Sequence, residues 1–223
     1  MSNHSLYHRF IAIEGIDGSG KTTLSHGLAK VLEKAGYPCL LTCEPTDGIY
    51  GRKLRRALRG EIILSPERTA DYFIADRKEH VKEVISEAAI DGKFIICDRY
   101  ILSTVAYQGA QGVNPLVLWN EQVNLPDPRI TFFLDINIDT AIKRLKTSRA
   151  SLDFTEKSDF LERVRGIYRP FISQCKEMFI LDGSLHPQIV LHQALFHVQQ
   201  TLGISVSNPS KEKNQQIQSG SDP

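Results

Sequence analysis

The stretch from Phe10 to Thr23, FIAIEGIDGSGKTT, constrains this chain more than any other. It has the pattern of a short apolar strand, a glycine-rich turn and the first turn of a helix, and it contains the complete G-x-x-x-x-G-K-[ST] motif, the P-loop. Such a turn points consecutive backbone N–H groups into one concavity, which the positive end of the helix also faces. A polyphosphate fits that concavity, and the flanking strand and helix disfavour a chance match. The residues of the predicted nucleoside triphosphate site are Gly15, Ile16, Asp17, Gly18, Ser19, Gly20, Lys21, Thr22 and Thr23.

Charged and hydroxyl side chains in and near this motif predict phosphate and metal binding. Lys21 is placed to reach the β- and γ-phosphates, and the Thr22 hydroxyl is placed to join the shell of a Mg²⁺ ion. Asp98 directly follows an apolar strand over 93–97, which is the position of a Walker B acid near Mg²⁺. The alternative is an aspartate that caps the next turn. Arg99 is suited to clamp a phosphate, because its planar fork matches two oxygens.

Composition indicates an ordinary globular domain. The chain has 223 residues, of which 41% are hydrophobic and 24% charged, and its net charge is +1. This balance gives no electrostatic case for binding nucleic acid or a membrane surface. No apolar run approaches the thickness of a bilayer, and the first ten residues lack the apolar core of a signal peptide. We therefore expect a cytoplasmic protein whose four scattered cysteines are reduced thiols.

Strand-like and helix-like segments alternate along the chain. This alternation predicts an α/β fold, a five-stranded parallel sheet with helices on both faces. The segment 37–43 is apolar except for Thr42, which predicts a strand covered on both faces. The P-loop, Glu44 and Asp98 follow the first three strands, so they should meet at the carboxyl edge of the sheet, where ligands bind in such folds.

The helix that begins at Ser65-Pro66 and ends before Gly92 carries an arginine within its apolar stripe. Phe73 and Val84 belong to that stripe, and Arg77 follows Phe73 by four residues, on the same face. The arginine is explained by a misassigned register, by a structural ion pair or by a ligand contact. We favour the ligand contact, because a guanidinium beside an aromatic ring suits a planar, polar base.

Three further segments bear on the site and on domain organisation. A helix from Leu102 carries Thr104, Tyr107 and Gln108 on one side. Basic residues from Arg144 to Arg149 lead into a polar stretch, and the region 144–158 fits a mobile lid over phosphates or, equally, an exposed loop. We expect a single domain over residues 1–204 and a disordered tail over 205–223, which has almost nothing to bury.

Several motifs together resemble the thymidylate kinases (dTMP kinases). They are EGIDGSGKTT at 14–23, EPTDG at 44–48, FIADR at 73–77, DRY at 98–100 and AYQGAQG at 106–112, and FLERVRGIY at 160–168 resembles the helix after that family's lid. The resemblance covers most of residues 9–203. It implies a P-loop kinase fold with a mobile lid, a homodimer, and the reaction Mg·ATP + dTMP → ADP + dTDP, a step of dTTP synthesis. Transfer is direct and in line, and it needs no general base because the acceptor phosphate is mostly a dianion at neutral pH.

The resemblance also implies how the acceptor nucleotide is bound. Phe73 stacks on thymine, while Arg77 bonds to its edge. Tyr107 packs against the sugar where a 2′-hydroxyl would sit. The remaining residues implied in acceptor binding are Glu44, Asp17, Arg99, Thr104 and Gln108, of which the last two are placed to read the imide.

For catalysis, the resemblance implies that Asp17 orients the acceptor phosphate and that Arg99 grips it. Asp98 acts through the water shell of the metal, and Arg144 lies against adenine. Some members carry an arginine within the P-loop, where this chain has Gly18. Members without it use arginines in the lid, but the position that aligns with a main lid arginine is Phe154 here. Arg149 is the remaining candidate for the cation that stabilises the transition state.

Two alternatives remain at this point. A deoxynucleoside kinase, or a kinase for another nucleoside monophosphate, would share the P-loop, and Glu44 could then take a hydroxyl proton. FIADR combined with AYQ favours a pyrimidine monophosphate instead. A GTPase-like switch would need an [NT]-K-x-D guanine motif after a strand, which the sequence lacks.

Overall fold

The computed structural model describes residues 6–148 and 154–206, except for the side chains of 148 and 154–157. Within these residues, five strands form one parallel sheet in the order β2-β3-β1-β4-β5. The strands are β1 (Phe10–Glu14), β2 (Cys39–Cys43), β3 (Phe94–Asp98), β4 (Ile130–Asp135) and β5 (Met178–Asp182). The predicted α/β fold is confirmed.

Helices follow the strands and cover both faces of the sheet. They are α1 (Lys21–Lys34), α2 (Ile49–Leu58), α3 (Pro66–His80), α4 (Ser86–Ile90), α5 (Ile101–Ala110), α6 (Pro115–Asn120), α7 (Ile138–Ser148), α8 (Phe154–Ile172) and α9 (Pro187–Leu202). One buried cluster joins α1 and α9 to the sheet, and another joins α3, α5 and α8 to it. None of the helices in the described part of the chain is long and apolar enough to cross a bilayer.

The expectation that β2 is covered on both faces is wrong. Among the described residues, strand order makes β2 an edge strand that pairs with β3 alone, and Leu41 and Cys43 are exposed. The central strands β1 and β3 are buried along their whole length. An all-apolar sequence does not separate an edge strand from a central one, because strand order depends on long-range pairing.

The long helix predicted from Ser65 is interrupted by a π-helical turn. Ser65 caps α3 by accepting a hydrogen bond from the Arg68 N–H at 3.2 Å. The turn over Val81–Ile85 separates α3 from α4. A π turn adds a residue to the helical period, so it rotates the apolar stripe. This explains why Val84, expected to face the core, is exposed, whereas Ile85 is fully buried.

The predicted lid and tail lie largely outside the described residues. α7 continues to Ser148 and α8 begins at Phe154, so residues 149–153, including Arg149, are not described. At the other end, Val206 packs against the core and its carbonyl accepts a hydrogen bond from Gln199 Nε2 at 3.2 Å. The tail beyond it, 207–223, is also outside the described residues, so the predicted mobility of the lid and disorder of the tail stay predictions.

Candidate active site

The P-loop connects β1 to α1 at the centre of the sheet, where strand order reverses. Gly15, Gly18 and Gly20 have φ angles of 141°, 81° and 101°. A Cβ atom at Gly15 would lie 2.7 Å from the Leu134 carbonyl oxygen, and one at Gly18 would lie 2.7 Å from the Ala141 carbonyl oxygen. Both the backbone conformation and the space therefore require glycine, as expected for a loop that presents its amides to phosphates.

Lys21 lies buried at the start of α1. Its Nζ donates a hydrogen bond to the Ile16 carbonyl oxygen at 2.8 Å. Burial, together with the positive charge of Arg99, lowers the pKa of Lys21 to about 7, although Asp17 and Asp98 oppose the shift. Because a bound polyphosphate would stabilise the charged ammonium, nucleotide binding and protonation of Lys21 should be linked.

We expect MgATP binding to take up about 0.9 proton at pH 8, because a lysine with a pKa near 7 is mostly neutral there and becomes charged next to the phosphates. The terminal phosphate, with a pKa of about 6, is already ionised at that pH and contributes little. Titration calorimetry in two buffers of different ionisation enthalpy measures the uptake. The Lys21→Met protein is the control and should take up none. Equal heats in both buffers for the wild type would contradict this linkage.

Thr22 and Asp98 come together at the mouth of the loop. The Thr22 hydroxyl donates to Asp98 Oδ2 at 2.6 Å. Asp98 is buried, and its other oxygen, Oδ1, has no hydrogen-bond partner among the described residues. A hydroxyl and a buried carboxylate oxygen without a partner are a donor set that suits Mg²⁺. The Ser19 hydroxyl, also buried and without a partner there, adds a polar group within the same loop.

Asp17 of the P-loop forms a cluster with Arg99 and Tyr107. Arg99 Nη2 donates to Asp17 Oδ1 at 2.5 Å, and the Asp17 N–H donates to the Tyr107 hydroxyl at 2.8 Å. The guanidinium lies 4.8 Å from the centre of the Tyr107 ring. Arg99 has a φ angle of 74°, a left-handed conformation that costs energy for any residue other than glycine. That backbone directs its side chain towards Asp17 and thus towards the phosphate site.

A buried carboxylate, Glu14, holds this turn in place. It accepts hydrogen bonds from the Tyr100 N–H at 2.9 Å, the Ser103 N–H at 3.2 Å and the Ser103 hydroxyl at 2.5 Å. The Tyr168 hydroxyl on α8 approaches the same carboxylate at 3.3 Å. Burial raises the pKa of Glu14, while these donors oppose the rise. Sequence reasoning missed this network, although Glu14, Tyr100 and Tyr168 each lie in a recognised motif.

Arg77 is buried and bonded on several sides. Its Nε atom donates to Glu44 Oε2 at 2.8 Å, and Nη2 lies 2.5 Å from the same oxygen in an ion pair. Nη2 donates to the Tyr100 carbonyl oxygen at 2.9 Å and to Thr104 Oγ1 at 3.0 Å. Nη1 donates to Gln122 Oε1. A guanidinium carries two hydrogens on Nη1. Among residues 6–148 and 154–206, the second Nη1 hydrogen has no acceptor, so Arg77 forms a buried ion pair and has one N–H without a partner there.

Gln108 lies one helical turn after Thr104 on α5. It is buried, and its Oε1 atom has no hydrogen-bond partner within the described part of the chain. Phe73, four residues before Arg77 on α3, is half-buried. The structure therefore brings an unpaired acceptor, an unpaired donor and an aromatic ring to adjoining positions of α3 and α5, which pack against each other. Such a combination suits a planar base with one N–H and one carbonyl group.

Glu44 lies buried after β2, where its carboxylate is fully engaged. Oε2 pairs with Arg77, and Oε1 accepts from His80 Nδ1 at 3.0 Å. A carboxylate held by two buried partners is poorly placed to take a proton from a substrate hydroxyl. This disfavours the alternative in which Glu44 serves as the base of a deoxynucleoside kinase.

Arg144 lies on α7 beside the P-loop. Its Nη1 donates to the carbonyl oxygens of Gly18 at 3.2 Å and Gly183 at 2.8 Å. This position borders the triphosphate loop and is compatible with the predicted contact to adenine. Arg149 and the side chain of Phe154 lie outside the described residues, so the lid contribution to catalysis stays a prediction.

Comparison with known proteins agrees with this geometry. A family model described as thymidylate kinase matches residues 13–194. The chain is 40% identical over 164 residues to the thymidylate kinase of Brachyspira hyodysenteriae, an alignment that covers 73% of this chain and 80% of that protein. The chain belongs to the thymidylate kinase family. It is also 40% identical over 185 residues to the enzyme of Xanthomonas campestris, with 82% and 80% covered, and 38% identical over 193 residues to a probable thymidylate kinase of Pyrococcus horikoshii, with 81% and 93% covered.

Membership in the thymidylate kinase family confirms the resemblance that the short motifs indicated. Family membership does not by itself assign a role to each side chain. Two residues that lie against Arg77 and Glu44, namely Gln122 and His80, had no signal in a single sequence. Gln122 stands in the turn after α6, outside every recognised motif, and His80 follows FIADR by three residues.

Proposed function

We propose that this protein transfers the γ-phosphate of ATP to dTMP, giving ADP and dTDP. The observation that carries the choice of base is that, within the described residues, an acceptor without a partner, Gln108 Oε1, and an Arg77 N–H without an acceptor lie on neighbouring helices. Thymine presents N3–H and O4, which complement these two groups. Cytosine presents an unprotonated N3 and an amino group instead, so both contacts would fail, and a buried polar group left without a partner is costly.

The P-loop side holds the donor triphosphate. The loop amides donate hydrogen bonds to the phosphates, which also lie at the positive end of α1. Lys21 becomes fully charged when the phosphates bind. Arg99, held by Asp17 and Tyr107, grips the acceptor phosphate and brings its oxygen in line with the γ-phosphorus. The acceptor is mostly a dianion at neutral pH, so positioning and charge neutralisation suffice and no general base is needed.

Thr22 and Asp98 would hold Mg²⁺, directly or through its water shell. Such an ion would neutralise the charge that develops on the phosphates during transfer. Asp98 Oδ1, which has no partner in the described part of the chain, supports this assignment, because a buried carboxylate oxygen without a hydrogen bond calls for a cation or water.

A coupled ADP-release assay over a panel of acceptors tests the function. We expect dTMP to give the highest kcat/KM, with dUMP next, since uracil keeps N3–H and O4. We expect dCMP to be at least about 100-fold poorer, because both base contacts fail. Thymidine should be inactive as an acceptor, because Arg99 would have no phosphate to grip. Faster turnover with thymidine or dCMP than with dTMP would refute the proposal.

We further propose that the protein is a cytoplasmic homodimer. Ile49 and Leu58 are exposed on α2, and Val84 and Ile90 are exposed on the π turn and on α4, which continue from α3. α2 packs against α3, so these apolar side chains lie on neighbouring elements, as at a self-association surface. The four free thiols fit the reducing cytoplasm. Light scattering coupled to gel filtration should give about twice the monomer mass of 25.1 kDa, and a monomer mass at micromolar concentration would refute the dimer.

A further inference from the structure

Base recognition depends on how the Arg77 guanidinium is held. The group is almost completely buried and makes hydrogen bonds to Glu44, to Gln122 and, through Nη2, to α5 and the turn before it. Only the second Nη1 hydrogen is left for a ligand within the described residues. If the guanidinium rotated within its plane, a different N–H would be left without a partner. The contacts of Nε and Nη2, where Glu44 lies, prevent this rotation and so set the direction of the unpaired N–H.

Glu44 is in turn held by His80. The two oxygens of the carboxylate have separate partners, because Oε2 accepts from Arg77 and Oε1 accepts from His80 Nδ1. The carboxylate oxygen is an acceptor, so Nδ1 carries the hydrogen. His80 is buried and lies at the last residue of α3, three positions after Arg77. It therefore contacts the ion pair through Glu44 Oε1, the carboxylate oxygen that does not accept from Arg77.

The opposite nitrogen of His80 is also engaged. Its Nε2 atom lies 2.8 Å from Thr42 Oγ1 on β2. The sequence of contacts Thr42–His80–Glu44–Arg77 thus ties the last turn of α3 to the edge strand and to the loop after it. Glu44 and His80 also approach the Cys97 thiol closely enough to form a possible metal cluster. The Arg77 guanidinium, 2.5 Å from Glu44, already neutralises the carboxylate and opposes a cation there.

We propose that His80 is a positioning residue for recognition of the acceptor base. By donating to Glu44 Oε1, it fixes the carboxylate plane, which fixes the Arg77 guanidinium with one N–H directed at the base carbonyl. His80 itself touches no reacting atom. This inference rests on the proposed function, since it assigns Arg77 to the base of dTMP.

Two amide substitutions separate the two nitrogens of the ring. In His80→Asn, the side-chain amide reaches the place of Nδ1 and can still donate to Glu44. In His80→Gln, the amide reaches the place of Nε2, so it keeps the Thr42 contact and loses the Glu44 contact. We expect His80→Gln and His80→Leu to raise KM for dTMP about tenfold, the effect of one lost hydrogen bond, while kcat and KM for ATP stay within about twofold. In His80→Asn, KM for dTMP, kcat and KM for ATP should each stay within about threefold of the wild-type value.

Two further readouts distinguish positioning from a general loss of stability. The preference for dTMP over dCMP should fall in His80→Gln and His80→Leu, because a misdirected Arg77 donor no longer selects a carbonyl group. Val81→Ala is the matched control, since the Val81 side chain is buried next to His80 and makes none of the hydrogen bonds among Thr42, His80, Glu44 and Arg77. It should lower the melting temperature and leave KM for dTMP and the base preference unchanged.

The outcomes separate this inference from the proposed function. If the wild type does not phosphorylate dTMP, the proposed function fails. If the wild type does so, but His80→Asn and His80→Gln have equal KM values for dTMP, or KM for ATP rises as much as KM for dTMP, the positioning role is refuted. If His80→Leu does not fold, the Asn and Gln variants still decide, because each keeps one of the two polar contacts.

Discussion

The Lys21→Met variant is expected to lose at least about a thousandfold in kcat, the cost of removing a preorganised charge at the site of phosphoryl transfer. The ammonium is buried in the loop, where no water can replace its charge. Methionine has a similar length and no charge, so the loop keeps its packing. Because burial lowers the pKa of Lys21 to about 7, its charged form is disfavoured in the empty site, and the variant should melt at the same temperature as the wild type or higher. Coupled ADP release and thermal unfolding measure the two effects.

Lys34→Met provides the matched control, because Lys34 lies at the other end of α1 and is exposed. This variant should keep full activity and nearly the same melting temperature. Near-wild-type turnover in Lys21→Met would contradict the assignment of Lys21 to the phosphates. A large fall in its melting temperature would instead indicate that the ammonium stabilises the empty loop.

The P-loop conformation and the positions of Asp98 and Arg99 beside it could be predicted from the sequence, because local pattern determines them. A P-loop is continuous in the chain, and its strand, glycines and helix are read from adjacent residues. Asp98 and Arg99 follow a strand whose apolar run is equally local. The structure brings these segments together, as the rule that ligands bind at the carboxyl edge of a parallel sheet predicts.

Strand order and helix phase could not be predicted in the same way. The exposure of β2 depends on which strand pairs beyond it, and the apolar pattern of Cys39–Cys43 carries no such information. The π turn over Val81–Ile85 changes the helical phase, and it contains no glycine or proline from which it could be predicted. Both errors arise where tertiary packing overrides a local pattern.

For Arg77, the sequence left a structural ion pair and a ligand contact as alternatives, and the structure is compatible with both at once. The structure gives it a buried ion pair with Glu44, and a donor without an acceptor in the described residues remains on Nη1. Gln122 completes this arrangement from a turn that contains no motif. A single sequence indicates that an arginine lies on an apolar face, but it does not identify the distant partners that leave one N–H available.

The Arg77→Ala variant is therefore expected to fail in two separable ways. Removing the guanidinium leaves the buried Glu44 carboxylate uncompensated, which should cost about 3–5 kcal/mol of the free energy of unfolding. It also removes the donor to the base carbonyl, which should raise KM for dTMP about 100-fold, with a much smaller effect on KM for ATP. Denaturant unfolding and steady-state kinetics with each substrate measure these effects.

A double variant, Arg77→Met with Glu44→Gln, separates stability from recognition. It removes both charges of the buried pair while approximately keeping volume, so most of the lost stability should return, because the cost of the single change comes from the unpaired carboxylate. Recognition should not return, since methionine has no N–H, and KM for dTMP should stay about 100-fold raised. Recovery of KM together with stability would mean that Arg77 acts only as a structural partner of Glu44. An equal rise of KM for both substrates in Arg77→Ala would also remove Arg77 from base recognition, and the choice of thymine would then have to rest on Gln108.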